Sequence, residues 1–312
     1  MKKIQVISKQ QKSSIETLIE NYENSCEIRG LTEKTITNYQ TSLDLFYAFL
    51  KANNIILPQD LNIQVIENFI NYLQKQDYKN TSINFHIRNI RTFIKWCEDR
   101  EAIGRIKIRE IKTDQPIKET YTQEELKILL RKPSKPKTFL EFQTWAIENF
   151  LYATGARIGV LPTLLIEDID FKNNTITMAR TKNRKGMIIP LSNALKKVLT
   201  EFLKVRKGEP TDYLFCNAYG GAISIRALQS QIYEYNLAHN VSKTSAHLFR
   251  SSFAKAYILN GGDAFRLQKL LGHSHISTTQ IYVNMFSTDL QKDYDKFNPL
   301  DNLTIRGNKI KL

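Results

Sequence analysis

Apolar residues recur every three or four positions through most of this chain, and in its second part the stretch from Ile166 to Leu191 breaks that period. Spacings of three and four put side chains on one face of an α-helix, whereas strands alternate. The expected fold is therefore mainly α, with one small antiparallel β-sheet. Four stripes stand out in the first hundred residues. The first is Ile15, Leu18, Ile19, Tyr22 and Cys26, and Thr32 caps a second carrying Ile36, Tyr39, Leu43, Phe46, Phe49 and Leu50. Val65, Ile66, Phe69, Ile70 and Leu73 make a third, and Ile83, Ile87, Ile90 and Ile94 a fourth. One residue along from the fourth run Arg88, Arg91 and Lys95, turned about 100° around the axis, so these cations look outward while the isoleucines enter the core.

Residues 105–119 hold several lysines and arginines, no strong apolar period and Pro116, which reads as a basic linker. Thr122 with Glu125 three residues later is a capping box that opens the next helical region. One long helix there ends at Gly155. Asn173-Asn174 and Asn183 to Gly186 are turn signals flanking Ile176 and Met178 and then Ile188 and Ile189, a sheet of two or three strands. The expected organisation is a four-helix domain over 10–104, the linker, a second domain over 120–297 and a tail over 298–312.

A chain of 312 residues is long enough for two domains with separate cores. Its formal charge of +14 predicts a polyanionic partner, nucleic acid first, because neutralised phosphates release condensed counterions. Cys26, Cys97 and Cys216 have no paired spacing of the kind a disulfide or zinc framework uses, which fits a reducing cytoplasm. No apolar run approaches the roughly 20 residues of a membrane span, and no apolar segment follows the basic N-terminus.

The chemistry-bearing residues stand in a fixed order: Arg157 after Thr154-Gly155-Ala156, His247 with Arg250 three residues on, then His273 after Gly272, and Tyr282 nine residues beyond His273. His247 and Arg250 share one face of a helix that Thr244 or Ser245 caps, and its positive end favours a phosphate. A guanidinium fork matches two phosphate oxygens at once, so a pair of arginines suits the charge on a pentacovalent phosphorus. A phenol, with a reference pKa of about 10, attacks only when positive groups stabilise its oxyanion. Two arginines, two imidazoles and a phenol thus describe an enzyme that cuts and rejoins nucleic acid through a tyrosine. His273 and His275 offer two imidazoles but lack the companions of a zinc site, so no metal is expected.

The texts "LYATGARIGVL", "TSAHLFRSSFA" and "KLLGHSHISTTQIYV" resemble the tyrosine site-specific recombinases, the integrase family that includes the Xer proteins. The resemblance covers nearly the whole chain. It implies that Arg157 and Arg250 bind the phosphate with His247 and His273 beside it, that Tyr282 is the nucleophile, and that a hairpin lysine protonates the leaving 5′ oxygen. Counting back from Pro190 in "TKNRKGMIIPL" prefers Lys182 for that lysine, with Lys185 as its rival. One departure is plain: the family's acidic residue three positions after the first arginine is replaced by Val160, for which Glu167 or Asp168 is a candidate substitute.

The resemblance further implies an N-terminal core-binding domain that clasps double-stranded DNA, with Arg88, Arg91 and Lys95 on its phosphates. It implies a homotetramer on two recombination sites, a 3′-phosphotyrosyl intermediate, a Holliday junction and no cofactor, with integration, excision, inversion or dimer resolution of a mobile or chromosomal element as the outcome. Phe286, Leu290, Tyr294 and Phe297 form an apolar stripe expected to be a final helix docking on a neighbouring subunit. A tyrosine-type topoisomerase would share the chemistry without pairing two sites, and a catalytically silent DNA-binding protein would keep only charge and fold.

Overall fold

A computed structural model describes residues 14–113, 119–134, 138–178 and 186–286. The chain divides into two compact units, 1–116 and 117–312.

Unit 1 is built on α1 (Ile15–Ile28), α2 (Glu33–Ala52), α3 (Ile63–Lys75) and α4 (Asn80–Glu98). Ser14, Thr32 and Asn62 cap the first three, each side-chain oxygen accepting a backbone N–H from the first turn. The four stripes meet as one core, with Tyr22, Leu43, Phe46, Phe69, Ile83, Ile87, Ile90 and Ile94 buried. Each such side chain contributes about 1.5–3 kcal/mol on leaving water. Residues 105–111, expected to open the linker, pack on this unit instead. Ile108 is in the core, Ile106 N donates to Glu98 Oε1 at 2.8 Å, and the Asn84 amide exchanges two bonds with the Ile111 backbone at 2.8 and 2.9 Å. A helical period could not reveal a segment that docks in extended form, through one asparagine far away in the chain.

Unit 2 begins with α5 (Gln123–Leu129), opened by the Thr122–Glu125 capping box, and α6 (Phe139–Thr154). Helix α6 is buried on nearly all faces, which makes it the centre of this unit. The chain then turns through two short 3₁₀ segments, Ile158–Thr163 and Ile166–Asp168, into β1 (Ile169–Asp170), β2 (Thr175–Met178) and β3 (Met187–Pro190). These pair antiparallel in the order β1-β2-β3, with Ile176 opposite Ile189. Ile176, Met178 and Ile189 join the core, while Ile188 points out. Asp170 accepts the backbone N–H groups of Lys172 and Asn173 to close the first turn, where Asn174 takes a positive φ.

Helices α7 (Asn193–Arg206), α8 (Ile225–Ala238), α9 (Ala246–Leu259), α10 (Ala264–Leu271) and α11 (Ile276–Phe286) complete the unit. Helix α9 packs on α6, and α10 and α11 pack on α9. The three cysteines are free and buried. Among the described residues no helix is long and apolar enough to cross a membrane.

Candidate active site

Two left-handed glycines set the position of the site. Gly155 ends α6 at φ +62° and releases the chain toward Arg157, and Gly272 ends α10 at φ +59° just before His273. A Cβ on Gly155 would collide with the Phe253 ring of α9 and crowd Leu271, so only glycine lets α6 end this close to α9.

Arg250, on α9, is only 3 % exposed as a residue. Its guanidinium donates to Gly155 O at 2.7 Å, to Leu271 O at 2.7 Å and to His273 Nε2 at 2.8 Å. Both oxygens lie at helix C-termini, where unpaired carbonyls carry partial negative charge, so two helix ends hold one cation. Burial, then the charge of Arg157, pushes the Arg250 guanidinium down to about 10, against an opposing pull from Tyr282, and it stays charged at neutral pH. Arg157 Nη1 reaches Leu271 O at 3.4 Å, so both arginines converge on one oxygen. Among the described residues no carboxylate pairs with either of them.

Arg157, His247 and Arg250 line one cleft of about 640 Å³, together with Met178, Met187 and Tyr233. The first turn of α9 also faces it, with Ser245 as the capping residue. His273 lies beside it, bonded to Arg250 and, through Nδ1, to Thr279 Oγ1 at 2.8 Å. His275 is exposed. Among the described residues no three His, Cys, Asp or Glu side chains gather as metal ligands would.

Tyr282, on α11, is 1 % exposed and packs in a small apolar cluster with Ala254, Leu267 and Leu271. Its ring thus packs beside Leu271, the residue whose carbonyl both arginines share, and does not face solvent. Lys182 and Lys185 lie outside the described residues, as do Leu290, Tyr294 and Phe297. Arg88, Arg91 and Lys95 belong to unit 1, and their side chains are 53 %, 39 % and 62 % exposed. Arg88 and Arg91 share Glu110 at 2.9 and 3.2 Å, and Lys95 meets Asp99 at 2.6 Å, which raises its pKa.

Val160 is buried in the core, so nothing acidic stands three positions after Arg157. Neither suggested substitute reaches the cleft. Asp168 accepts from Leu165 N at 2.8 Å in its own turn, and Glu167 is exposed. Main-chain carbonyls orient the guanidiniums instead, and residue types carry no signal for these. Thr279 was missed as well, although its place between His273 and Tyr282 on a helix could have suggested it.

Residues 119–288 match the phage integrase family, and residues 17–107 match a phage integrase SAM-like domain. Tyrosine recombinase XerD of Staphylococcus epidermidis is 28% identical over 293 residues, covering 91% of this chain and 99% of that protein. XerD of Staphylococcus aureus is 28% identical over 295 residues with the same coverage. Among solved structures, XerH bound to palindromic difH substrate in a post-cleavage complex has a TM-score of 0.70 at 21% identity, covering 89% of this chain and 84% of that one. Lambda integrase residues 75–356, as a dimer on a COC′ core site, gives 0.68 at 20% identity, covering 85% of this chain and 97% of that one. Those structures share this chain's fold. With more than half of its residues inside the family match, this chain belongs to the phage integrase family and is a tyrosine site-specific recombinase of the Xer-like type.

Proposed function

We propose that this protein cuts and rejoins double-stranded DNA at a specific site, with Tyr282 as nucleophile. The observation that carries this reading is the pair of guanidiniums held on one cleft with no carboxylate paired to either among the described residues. Burial and the charge of Arg157 both disfavour the charged form of Arg250, and an arriving phosphodiester relieves that cost. The phenol gives its proton to one of the two imidazoles, His247 or His273, as its oxygen attacks phosphorus, a 3′-phosphotyrosyl bond forms, and the bond to the 5′ oxygen breaks. That oxygen takes a proton from Lys182, or from its rival Lys185. A 5′-hydroxyl from a partner duplex reverses the step, so the bond energy is retained. Because Tyr282 is 1 % exposed, α11 must release the ring before attack.

In the same reading, unit 1 clasps the duplex, and Arg88, Arg91 and Lys95 exchange their carboxylate partners for phosphates. Exposed ion pairs are worth little, so the exchange costs little. Four protomers on two sites pass through a Holliday junction in the cytoplasm, on DNA of a mobile or chromosomal element. Lambda integrase has been solved as a tetramer bound to a Holliday junction, and XerH on its difH substrate before cleavage, which supports this assembly.

The test uses a cognate duplex recovered by selecting bound sequences from a random library. Two differently labelled copies should give four-way junctions and recombinant strands with the wild-type protein. Relaxation of a supercoiled plasmid carrying a single site, with no junctions between two copies, would replace the recombinase reading with a topoisomerase.

A further inference from the structure

We propose that Thr279 is a positioning residue that holds His273 in the one ring orientation in which Arg250 fixes its tautomer. The inference rests on the recombinase reading of the site, and its geometry is independent of that reading. Arg250 Nη2 lies 2.8 Å from His273 Nε2, and a guanidinium has only hydrogens to give. The lone pair therefore sits on Nε2. The ring's one N–H is then on Nδ1, and it donates to Thr279 Oγ1 at 2.8 Å. Thr279 is fully buried, so water does not compete for that bond.

The order of bonds gives Thr279 its consequence. His273 follows the left-handed cap of α10, where the backbone fixes the Cα but leaves the ring free to turn. Its main-chain groups are engaged with Gln268, His273 N donating to Gln268 O at 3.0 Å and His273 O accepting from Gln268 Nε2 at 3.0 Å, so the segment itself is anchored. What selects the ring orientation is the pair of partners on its two nitrogens. Arg250 holds Nε2 on the side of the shared phosphate-binding groups, and Thr279 holds Nδ1 on the side of α11. If the Nδ1–H lost its acceptor in this buried place, the ring would gain by turning away from Arg250 toward another acceptor, which frees Nε2 and ends the single tautomer; a hydrogen moved to Nε2 in place would only face the guanidinium's own N–H. Thr279 and Tyr282 are three residues apart on α11 and so share a face, which ties the orientation of the imidazole to the helix that carries the nucleophile.

The test is made on the full-length protein with ¹⁵N-labelled histidine, assigning His273 by a His273→Gln control. In the wild type without DNA, the His273 signals should report a hydrogen on Nδ1 and a lone pair on Nε2. Thr279→Val keeps the shape and removes the hydroxyl, and Thr279→Ser keeps the hydroxyl. The valine variant should lose the single Nδ1–H tautomer and cleave the cognate duplex about ten- to a hundredfold more slowly, a common loss when the partner of a functional imidazole is removed. Duplex binding should stay within about twofold, and the serine variant should restore both tautomer and rate. The proposal is overturned if Thr279→Val keeps the wild-type tautomer, if it cleaves at the wild-type rate, or if serine is as slow as valine. Failure of the recombinase reading shows separately, as wild-type cleavage that leaves no protein attached to DNA.

Discussion

Arg250 and Arg157 are both guanidiniums, yet their surroundings predict different mutants. Arg250 is buried and satisfies two helix-end carbonyls and an imidazole, whereas Arg157 reaches one carbonyl at 3.4 Å. Both Arg157→Ala and Arg250→Ala should lower cleavage by on the order of 10² or more, as loss of a transition-state donor commonly does. Only Arg250→Ala should also lose stability, by about 1–3 kcal/mol for each carbonyl left unpaired. Urea unfolding of the two variants separates these effects, and equal losses would contradict the bridging role. Glu148 on α6 supplies a pH dependence: it is fully buried, neither carboxylate oxygen has a partner among the described residues, and burial holds its pKa well above the ordinary range. The folded state therefore binds a proton that the unfolded chain gives up, so stability present in acid falls as pH rises above about 4.5 toward the folded value. As pH rises from the ordinary carboxylate range, the wild type should lose stability relative to Glu148→Gln, and parallel curves would rule out a protonated Glu148. Order and gap alone named Arg157, His247, Arg250, His273 and Tyr282 as candidates, and the fold brings them near one another in unit 2. Their partners were not legible in the sequence. Gly155 O and Leu271 O are main-chain atoms present at every position, and only the fold selects which of them meets an arginine.

At the scale of elements, the ends of helices matter more to this site than their middles. The sites of α6 and α10 termination bring Gly155 O and Leu271 O to Arg250, and the start of α9 lines the cleft. Gly155→Ala should therefore act twice, through a positive φ that costs about 1 kcal/mol and through the collision with Phe253, which must push α6 from α9. The expected result is a protein less stable than wild type and slower in cleavage, with DNA binding retained; a variant of wild-type stability and rate would contradict this close approach. The helices themselves were readable because their apolar stripes have a single buried face and their caps are side chains: Thr32, Thr122 and Ser245 cap where expected. The packed segment 105–111 was not readable. It makes its bonds to Asn84 and Glu98, so its order comes from partners distant in sequence rather than from a local period.

At the scale of the molecule, the net charge of +14 sets how binding responds to salt. The logarithm of affinity should fall linearly with the logarithm of salt concentration, with a slope of about −0.9 per phosphate neutralised. Replacing Arg88, Arg91 and Lys95 together by alanine should flatten that slope by about 2 to 3 if each meets a phosphate. An unchanged slope would mean that these three stay with Glu110 and Asp99 on DNA. Composition announced a polyanionic partner, and the order of a few residues announced the reaction, but the shelter around Tyr282 appears only once α9, α10 and α11 are packed together. The account depends above all on Tyr282 forming the bond to DNA. Full-length protein incubated in EDTA with a cognate duplex nicked beside the scissile phosphate, then digested with trypsin, should yield DNA joined through a 3′-phosphate to the peptide 270–292, in which Tyr282 is the only tyrosine. DNA attached to any other residue, or cleaved ends that carry no peptide, would contradict it.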